Sequence, residues 1–116
     1  MWQRSRALTR LIYEECRATT TVSDRSLAVQ MQRNAASVMA NMAEGFAQRG
    51  SGEFAHFLSI AKGSCAELKS HLYVAVDCEL LEKAQMDFPF EMADEVARML
   101  SSLERAIKNR KFAPRD

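Results

Sequence analysis

The chain is poor in the residues that interrupt helices: its 116 residues hold four glycines and two prolines. Those residue types build turns and loops, so most of the length belongs to regular elements joined by brief connections. No stretch alternates apolar and polar residues long enough to read as a strand, and no internal repeat appears beyond the helical segments themselves. Cysteine is scarce. Cys16, Cys65 and Cys78 form no C-x-x-C pair and are odd in number, which argues against a secreted disulfide framework and offers no zinc spacing. On one continuous helix Cys65 and Cys78 would stand about 20 Å apart, beyond bridging distance. A charge excess is also missing. The formal net charge is +1, not the global basic signal of an obligate nucleic-acid binder. No apolar run approaches the ~18 residues needed to cross a bilayer. The N-terminal arginines are not followed by the apolar core of a signal peptide. A soluble, cytoplasmic chain with no membrane partner is expected.

What is present suits one folded helical domain. Apolar residues make up 47% of the chain, and a domain of this length buries about two-thirds of its unfolded surface without disulfides or metals. Seven methionines add adaptable packing volume. Charge is unevenly placed. Residues 77–95 hold one Lys/Arg against seven Asp/Glu, whereas residues 96–116 hold six against two. Acidic and basic segments in succession suggest complementary surfaces within the bundle or between copies of it.

Four segments carry helical periodicity, at about residues 3–19, 24–48, 52–79 and 83–110. The first aligns Leu8, Leu11, Ile12 and Cys16 and ends in the β-branched Thr19-Thr20-Thr21-Val22. Ser23 or Asp24 is positioned to cap the second. Gly50-Ser51-Gly52 is the clearest turn, with Ser51 the expected cap of the third helix and Glu53 favourable against its dipole. The third has the cleanest seam: Phe54, Leu58, Ala61, Cys65, Leu68, Leu72 and Ala75 recur by fours and threes. The fourth carries Met92, Val96, Met99, Leu100, Leu103 and Ile107, and Pro89 either starts it or lies in its first turns and bends it. The expectation is an all-α, antiparallel, up-down-up-down four-helix bundle as a single domain over residues 1–116. Its core should hold Leu8, Ile12, Leu27, Met31, Val38, Met42, Phe54, Leu58, Leu68, Leu72, Val96, Leu103 and Ile107.

The second helix is apolar over more than half its circumference. Leu27, Met31, Val38 and Met42 form one face, and Ala28, Ala36, Met39, Ala40, Ala43 and Ala47 extend it. A lone bundle covers only one side of each helix. The surplus predicts a subunit interface, with Ala36, Ala40, Ala43 and Ala47 allowing close approach.

Three groups of residues invite a functional reading. Ser37, Asn41 and Glu44 on the second helix, and Ser64, Glu67 and His71 on the third, with Gly63 permitting close backbone approach, make a polar strip. A site between helices is one reading; a hydrogen-bonded strip that sets helix register is the plainer one. Glu53-x-x-His56 resembles half of a di-iron bundle site, but the second such unit and two further glutamates are lacking. Neither a metal nor another cofactor is expected, and no nucleophile elbow or phosphate loop suggests an enzyme. Basic residues line two outer faces: Arg6, Arg10 and Arg17, with Tyr13 and Trp2 beside them, and Arg98, Arg105 and Lys108, followed by Arg110, Lys111 and Arg115. Arginines beside aromatics suit phosphate contact and base stacking. An ordinary solvated face is the competing reading.

The run from Arg33 to Ala75 carries a family resemblance. Arg33-Asn34-Ala35-Ala36-Ser37-Val38, then Asn41-Met42-Ala43-Glu44-Gly45-Phe46, then Glu53-Phe54, Phe57-Leu58, Ile60-Ala61, Gly63-Ser64 and Glu67-Leu68 follow in order. This set resembles the four-helix-bundle proteins of 23S rRNA intervening sequences, a family that includes the accessory variability protein of diversity-generating retroelements. Trp2-Gln3 is similar to the family's early Val-Trp-Gln element. Met39 stands where relatives often have proline, and Glu15 where they carry an aliphatic residue. The resemblance makes Asn41, Ala43, Glu44 and Gly45 motif positions without a catalytic role. It implies a bacterial bundle that forms a homopentameric ring, binds RNA or DNA through basic outer surfaces, and in the retroelement branch works with a reverse transcriptase. A structural or protein-interaction ring with no nucleic-acid role is the alternative.

Overall fold

The computed structural model describes residues 1–18 and 24–111. Four helices follow one another: α1 (Trp2–Ala18), α2 (Arg25–Ala47), α3 (Ser51–Asp77) and α4 (Lys83–Lys111). Each packs on its neighbours in sequence, and α1 closes the square against α4. Paired contacts fix the directions. Asn34 meets Glu67 while Ser37 meets Ser64, and Lys62 meets Glu104 while Lys69 meets Asp94. Rising numbers on one helix run against falling numbers on the next, so the bundle is antiparallel and up-down-up-down. It measures 56 × 20 × 19 Å.

The helix ends explain where the chain turns. Asp24 caps α2, its side chain accepting from the Leu27 amide at 3.0 Å. Ser23 and the Thr19–Val22 run lie outside the described residues. The cap expected at Ser51 is corrected: Gly50 is the N-cap, without a side-chain bond, and Ser51 is the first helical residue. The Phe54 amide bonds the Gly50 carbonyl at 3.0 Å, starting the helix one residue earlier. At the far end of α3 the Glu79 amide bonds the Val76 carbonyl and the Leu80 amide bonds the Ala75 carbonyl, at 3.0 and 2.8 Å. That is a Schellman turn, with Glu79 at φ 60° in the position glycine usually fills. The Gln85 side chain then accepts from the Glu82 amide at 2.9 Å, half of a capping box at the start of α4. Pro89 lies inside α4 and is buried, so it does not start the helix. Lacking an N–H, it leaves the Gln85 carbonyl without its usual intrahelical donor.

Buried side chains form two clusters stacked along the axis. Leu8, Ile12, Met31, Leu68, Leu72 and Ala93 belong to the one between the α1–α2 and α3–α4 turns. Val38, Met42, Leu58, Cys65, Val96 and Leu100 belong to the other. Of the expected core, only Phe54 and Leu103 are half-buried, and both pack against the second cluster. Leu81 and Met86, at the α3–α4 turn, complete the first cluster although periodicity alone does not include them. Burial of each large aliphatic side chain contributes about 1.5–3 kcal/mol.

Candidate functional site

The expected polar strip lies at the α2–α3 seam and is built from two adjoining groups. Ser64 donates to the Ser37 hydroxyl at 2.9 Å, and the Asn41 amide donates to the same hydroxyl at 3.0 Å and to the Ser37 carbonyl at 2.9 Å. One turn away, the Asn34 amide donates to Glu67 Oε2 at 2.9 Å, while its carbonyl oxygen faces His71 Nδ1 at 2.6 Å. Because that oxygen can only accept, the bond places a proton on Nδ1. Asn34 and Ser64 are buried. Among the described residues no buried side-chain nitrogen or oxygen lacks a partner. A fully satisfied seam of this kind sets the register of two helices. His71 bonds Asn34, not a serine, so the strip does not assemble a nucleophile–base pair.

Some of the expected members stand elsewhere. Glu44 is exposed, and among the described residues only its backbone carbonyl is engaged, by Gln48. Close approach occurs at Gly45 instead of Gly63. A Cβ added at Gly45 would lie 3.2 Å from Phe54 Cδ1 and 3.4 Å from Phe57 Cβ, whereas one at Gly63 would meet nothing within 4 Å. Gly63 is exposed, and α2 reaches α3 through the serine pair rather than through its glycine. Asn34 was not among the expected site residues. Its place on the helical wheel beside Ser37 and Asn41 is the signal that could have found it. Glu53 and His56 are both exposed, and no group of three or more His, Cys, Asp or Glu is placed to hold a metal ion among the described residues.

Four alanines of α2 lie on its outward side, whereas Ala28, expected to extend that surface, is buried in the first cluster with Ala35. Ala40, Ala43 and Ala47 are exposed and Ala36 is half-buried, opposite the buried face of Met31, Val38 and Met42. Val29 on α2 and Ile60 and Val74 on α3 add exposed aliphatic surface.

The arginines divide into two kinds. Arg4 donates two hydrogen bonds to the Glu95 carboxylate, from Nε at 3.1 Å and from Nη2 at 3.0 Å. Its hydrogen bond and charge hold the Glu95 carboxyl below its usual range, and Glu95 raises the Arg4 guanidinium in turn. Arg10 pairs with Glu14 at 3.2 Å and Arg98 with Asp94 at 2.8 Å. Among the described residues Arg105 bonds only the Ser102 hydroxyl, at 3.3 Å. Arg6, Arg17 and Lys108 are exposed and belong to none of the ion pairs found among the described residues. Tyr13 and Trp2 share the outer face of α1, each 38% exposed. The side chains of Arg110 and Lys111, and all of Arg115, lie outside the described residues. Arg25, Arg33 and Arg49, not among the expected basic residues, are also exposed and outside the ion pairs found among the described residues. Arg25, the first residue of α2, lines a groove with Arg17.

Comparison with known proteins agrees with this architecture. The model of the family described as 23S rRNA-intervening sequence protein matches residues 1–102, and the chain belongs to that family. A crystal structure of a protein with unknown function from the S23 ribosomal protein family of Bacteroides thetaiotaomicron VPI-5482 superposes with a TM-score of 0.79 at 19% identity. The alignment covers 89% of this chain and 96% of that one, and shows the shared fold. No curated protein matches. No helix among the described residues is long and apolar enough to cross a membrane.

Proposed function

We propose that this member of the 23S rRNA-intervening sequence protein family is a non-enzymatic bundle that closes into a homo-oligomeric ring, five-membered as the family resemblance implies. The assembled ring binds RNA or DNA weakly and without sequence specificity. The observation that carries this reading is the separation of two outer surfaces. The alanine face of α2 is exposed and apolar, while Arg6 and Arg17 stand beside Tyr13 on α1 without a carboxylate partner among the described residues. The first supports self-association and the second supports phosphate contact with stacking. A single subunit of net charge +1 binds a polyanion poorly. A ring repeats the arginine stripe, and the raised effective concentration strengthens binding without a new kind of contact.

Light scattering tests the ring, and a stable monomer at micromolar concentration refutes it. Fluorescence anisotropy with labelled single-stranded and duplex probes at two salt concentrations tests nucleic-acid binding, which should fall steeply as salt rises. Replacing Arg6, Arg10 and Arg17 together with Ala should flatten that dependence and leave the oligomer intact. The alternative reading, a protein-interaction ring with no nucleic-acid role, draws on the pairing of Arg10 and Arg98 with carboxylates. An intact oligomer that binds no probe at low salt would favour it.

A further inference from the structure

Six described arginines, Arg6, Arg17, Arg25, Arg33, Arg49 and Arg105, belong to no ion pair, and two of them share one groove. Arg17, near the end of α1, and Arg25, at the start of α2, line one open groove of about 360 Å³ together with Cys16, Ala28, Val29 and Gln32. Its base is apolar, because Cys16 and Ala28 are buried, and Val29 presents an aliphatic wall that is 40% exposed. No acidic side chain lines it, and neither arginine forms an ion pair among the described residues. The only carboxylate beside Arg25 in sequence, Asp24, accepts from the Leu27 amide. Tyr13 stands one turn before Arg17 and is exposed.

Two like charges facing one groove repel each other. Arg25 also occupies the first turn of α2, where the helix dipole disfavours a cation. Both arrangements become favourable when an anion enters. An apolar base with one amide and two guanidiniums at its rim matches a nucleotide unit: a charged phosphodiester carried on a flat, largely apolar body.

We propose that this α1–α2 groove is a nucleotide subsite for single-stranded nucleic acid, with Arg17 and Arg25 holding the phosphodiester and Val29 and Tyr13 supporting the adjoining bases. It rests on the nucleic-acid reading above and narrows it. Phosphate contact is assigned to the seam, and Arg10, Arg98 and Arg4, whose charges are already matched by carboxylates, contribute little. The seam is compatible with assembly through α2. Val29 and Ala40 are eleven residues apart in the sequence, which separates the groove from the middle of the alanine face by about 16 Å along the helix.

The test is anisotropy with a labelled single strand of about eight nucleotides, comparing the full-length protein with Arg17→Gln, Arg25→Gln and Arg98→Gln. Each unpaired arginine should contribute about 0.7 to the salt slope for a single strand, so its loss should weaken binding about eightfold near 50 mM salt. Arg98→Gln should change little, because Lys69 still faces Asp94 at 3.1 Å. Arg25→Gln carries a signature that a merely structural role cannot produce: affinity falls while thermal stability holds or rises. An oligonucleotide bearing 4-thiouridine should crosslink to peptides from the α1–α2 seam. If Arg17→Gln and Arg25→Gln bind like the unmodified protein, or the crosslinks map to α4, the groove assignment is wrong and the wider reading stands. If the unmodified protein binds no probe at low salt, the wider reading fails as well. A mononucleotide that displaces the probe as well as polymer does, at equal nucleotide concentration, would overturn the assignment to a strand.

Discussion

Replacing Glu79 with glycine should stabilise the protein. Glu79 holds φ 60° at the C′ position of the Schellman turn that ends α3, its amide bonded to the Val76 carbonyl at 3.0 Å. A residue with a Cβ pays about 1–2 kcal/mol to occupy the left-handed region. Glycine avoids that cost but loses about 0.5–1 kcal/mol more chain entropy on folding. The difference leaves a net gain of about 0.5–1 kcal/mol. The turn's two backbone bonds are retained, and so is the packing of Leu80 against the core. For a domain of this size about 1 kcal/mol corresponds to roughly 4 °C in melting temperature, so a rise of about 2–4 °C is expected.

The assay is a thermal melt followed by circular dichroism, paired with urea unfolding at matched protein concentration so that any oligomerisation contributes equally. Glu79→Ala is the control. It removes the same charge beside Asp77 and Glu82 but keeps the Cβ, so it isolates electrostatics from backbone strain. Glu79→Gly should exceed Glu79→Ala in stability by about 0.5–1 kcal/mol. If the two variants melt together, the left-handed backbone at Glu79 costs nothing and the reasoning is refuted.

Three further expectations follow from burial and bonding. Burial pushes the Cys65 thiol up to about 11 from 9.0, so the folded state keeps its proton after the unfolded chain has lost it. The stability this contributes is full below pH 9.0 and is lost as pH rises toward about 11; a urea series across that range should show the decline, and Cys65→Ala should reduce it. Under native conditions at pH 8, iodoacetamide should modify exposed Cys78 well before buried Cys16 and Cys65, an order that mass spectrometry of labelled peptides checks. Asn34→Ala should cost about 1–3 kcal/mol in urea unfolding, because it removes the bridge between Glu67 and His71; a change under ~0.5 kcal/mol would mean that water replaces it without loss.

The fold was legible because helix periodicity reports burial directly. The seam of α3 reads off the sequence from Leu58 to Ala75 with every member buried, and all four helices begin and end within two residues of expectation. Local signals fared worse. Ser51 is a strong capping residue by type, yet Gly50 takes the position, because α2 closes through the Gln48 amide on the Gly45 carbonyl at 3.1 Å and leaves a short connection. Glu79 carries no signal for a left-handed turn, since the usual marker is glycine. The strip was legible in part. Ser37, Asn41, Ser64, Glu67 and His71 share a seam, but whether Glu44 joins them depends on how far each side chain reaches across to α3. The pairing of arginines was legible only where helical spacing sets it, as for Arg10 with Glu14 and Arg98 with Asp94 four residues apart. Arg4 and Glu95 are ninety-one residues apart in the chain, and no local pattern brings them together.

The outward alanines of α2 admit two physical explanations that make different predictions. Alanine is the best helix former, so Ala40, Ala43 and Ala47 could face water simply to hold a long helix together. Propensity does not account for Ile60 and Val74, which are 39% and 42% exposed on the outer surface of α3 and are poorer helix formers than alanine. Ala40→Glu separates the two. Glutamate is itself a good helix former, so on a solvated face it should alter stability by no more than about 0.5 kcal/mol and leave the mass in solution unchanged. At a packed interface between copies it buries a carboxylate without a partner, at a cost of several kcal/mol per site, and the cost recurs at every contact around a ring. Dissociation to folded monomers in light scattering, with the helical spectrum retained, is the expected result. An assembly of unchanged mass would show that the alanine face is not the interface.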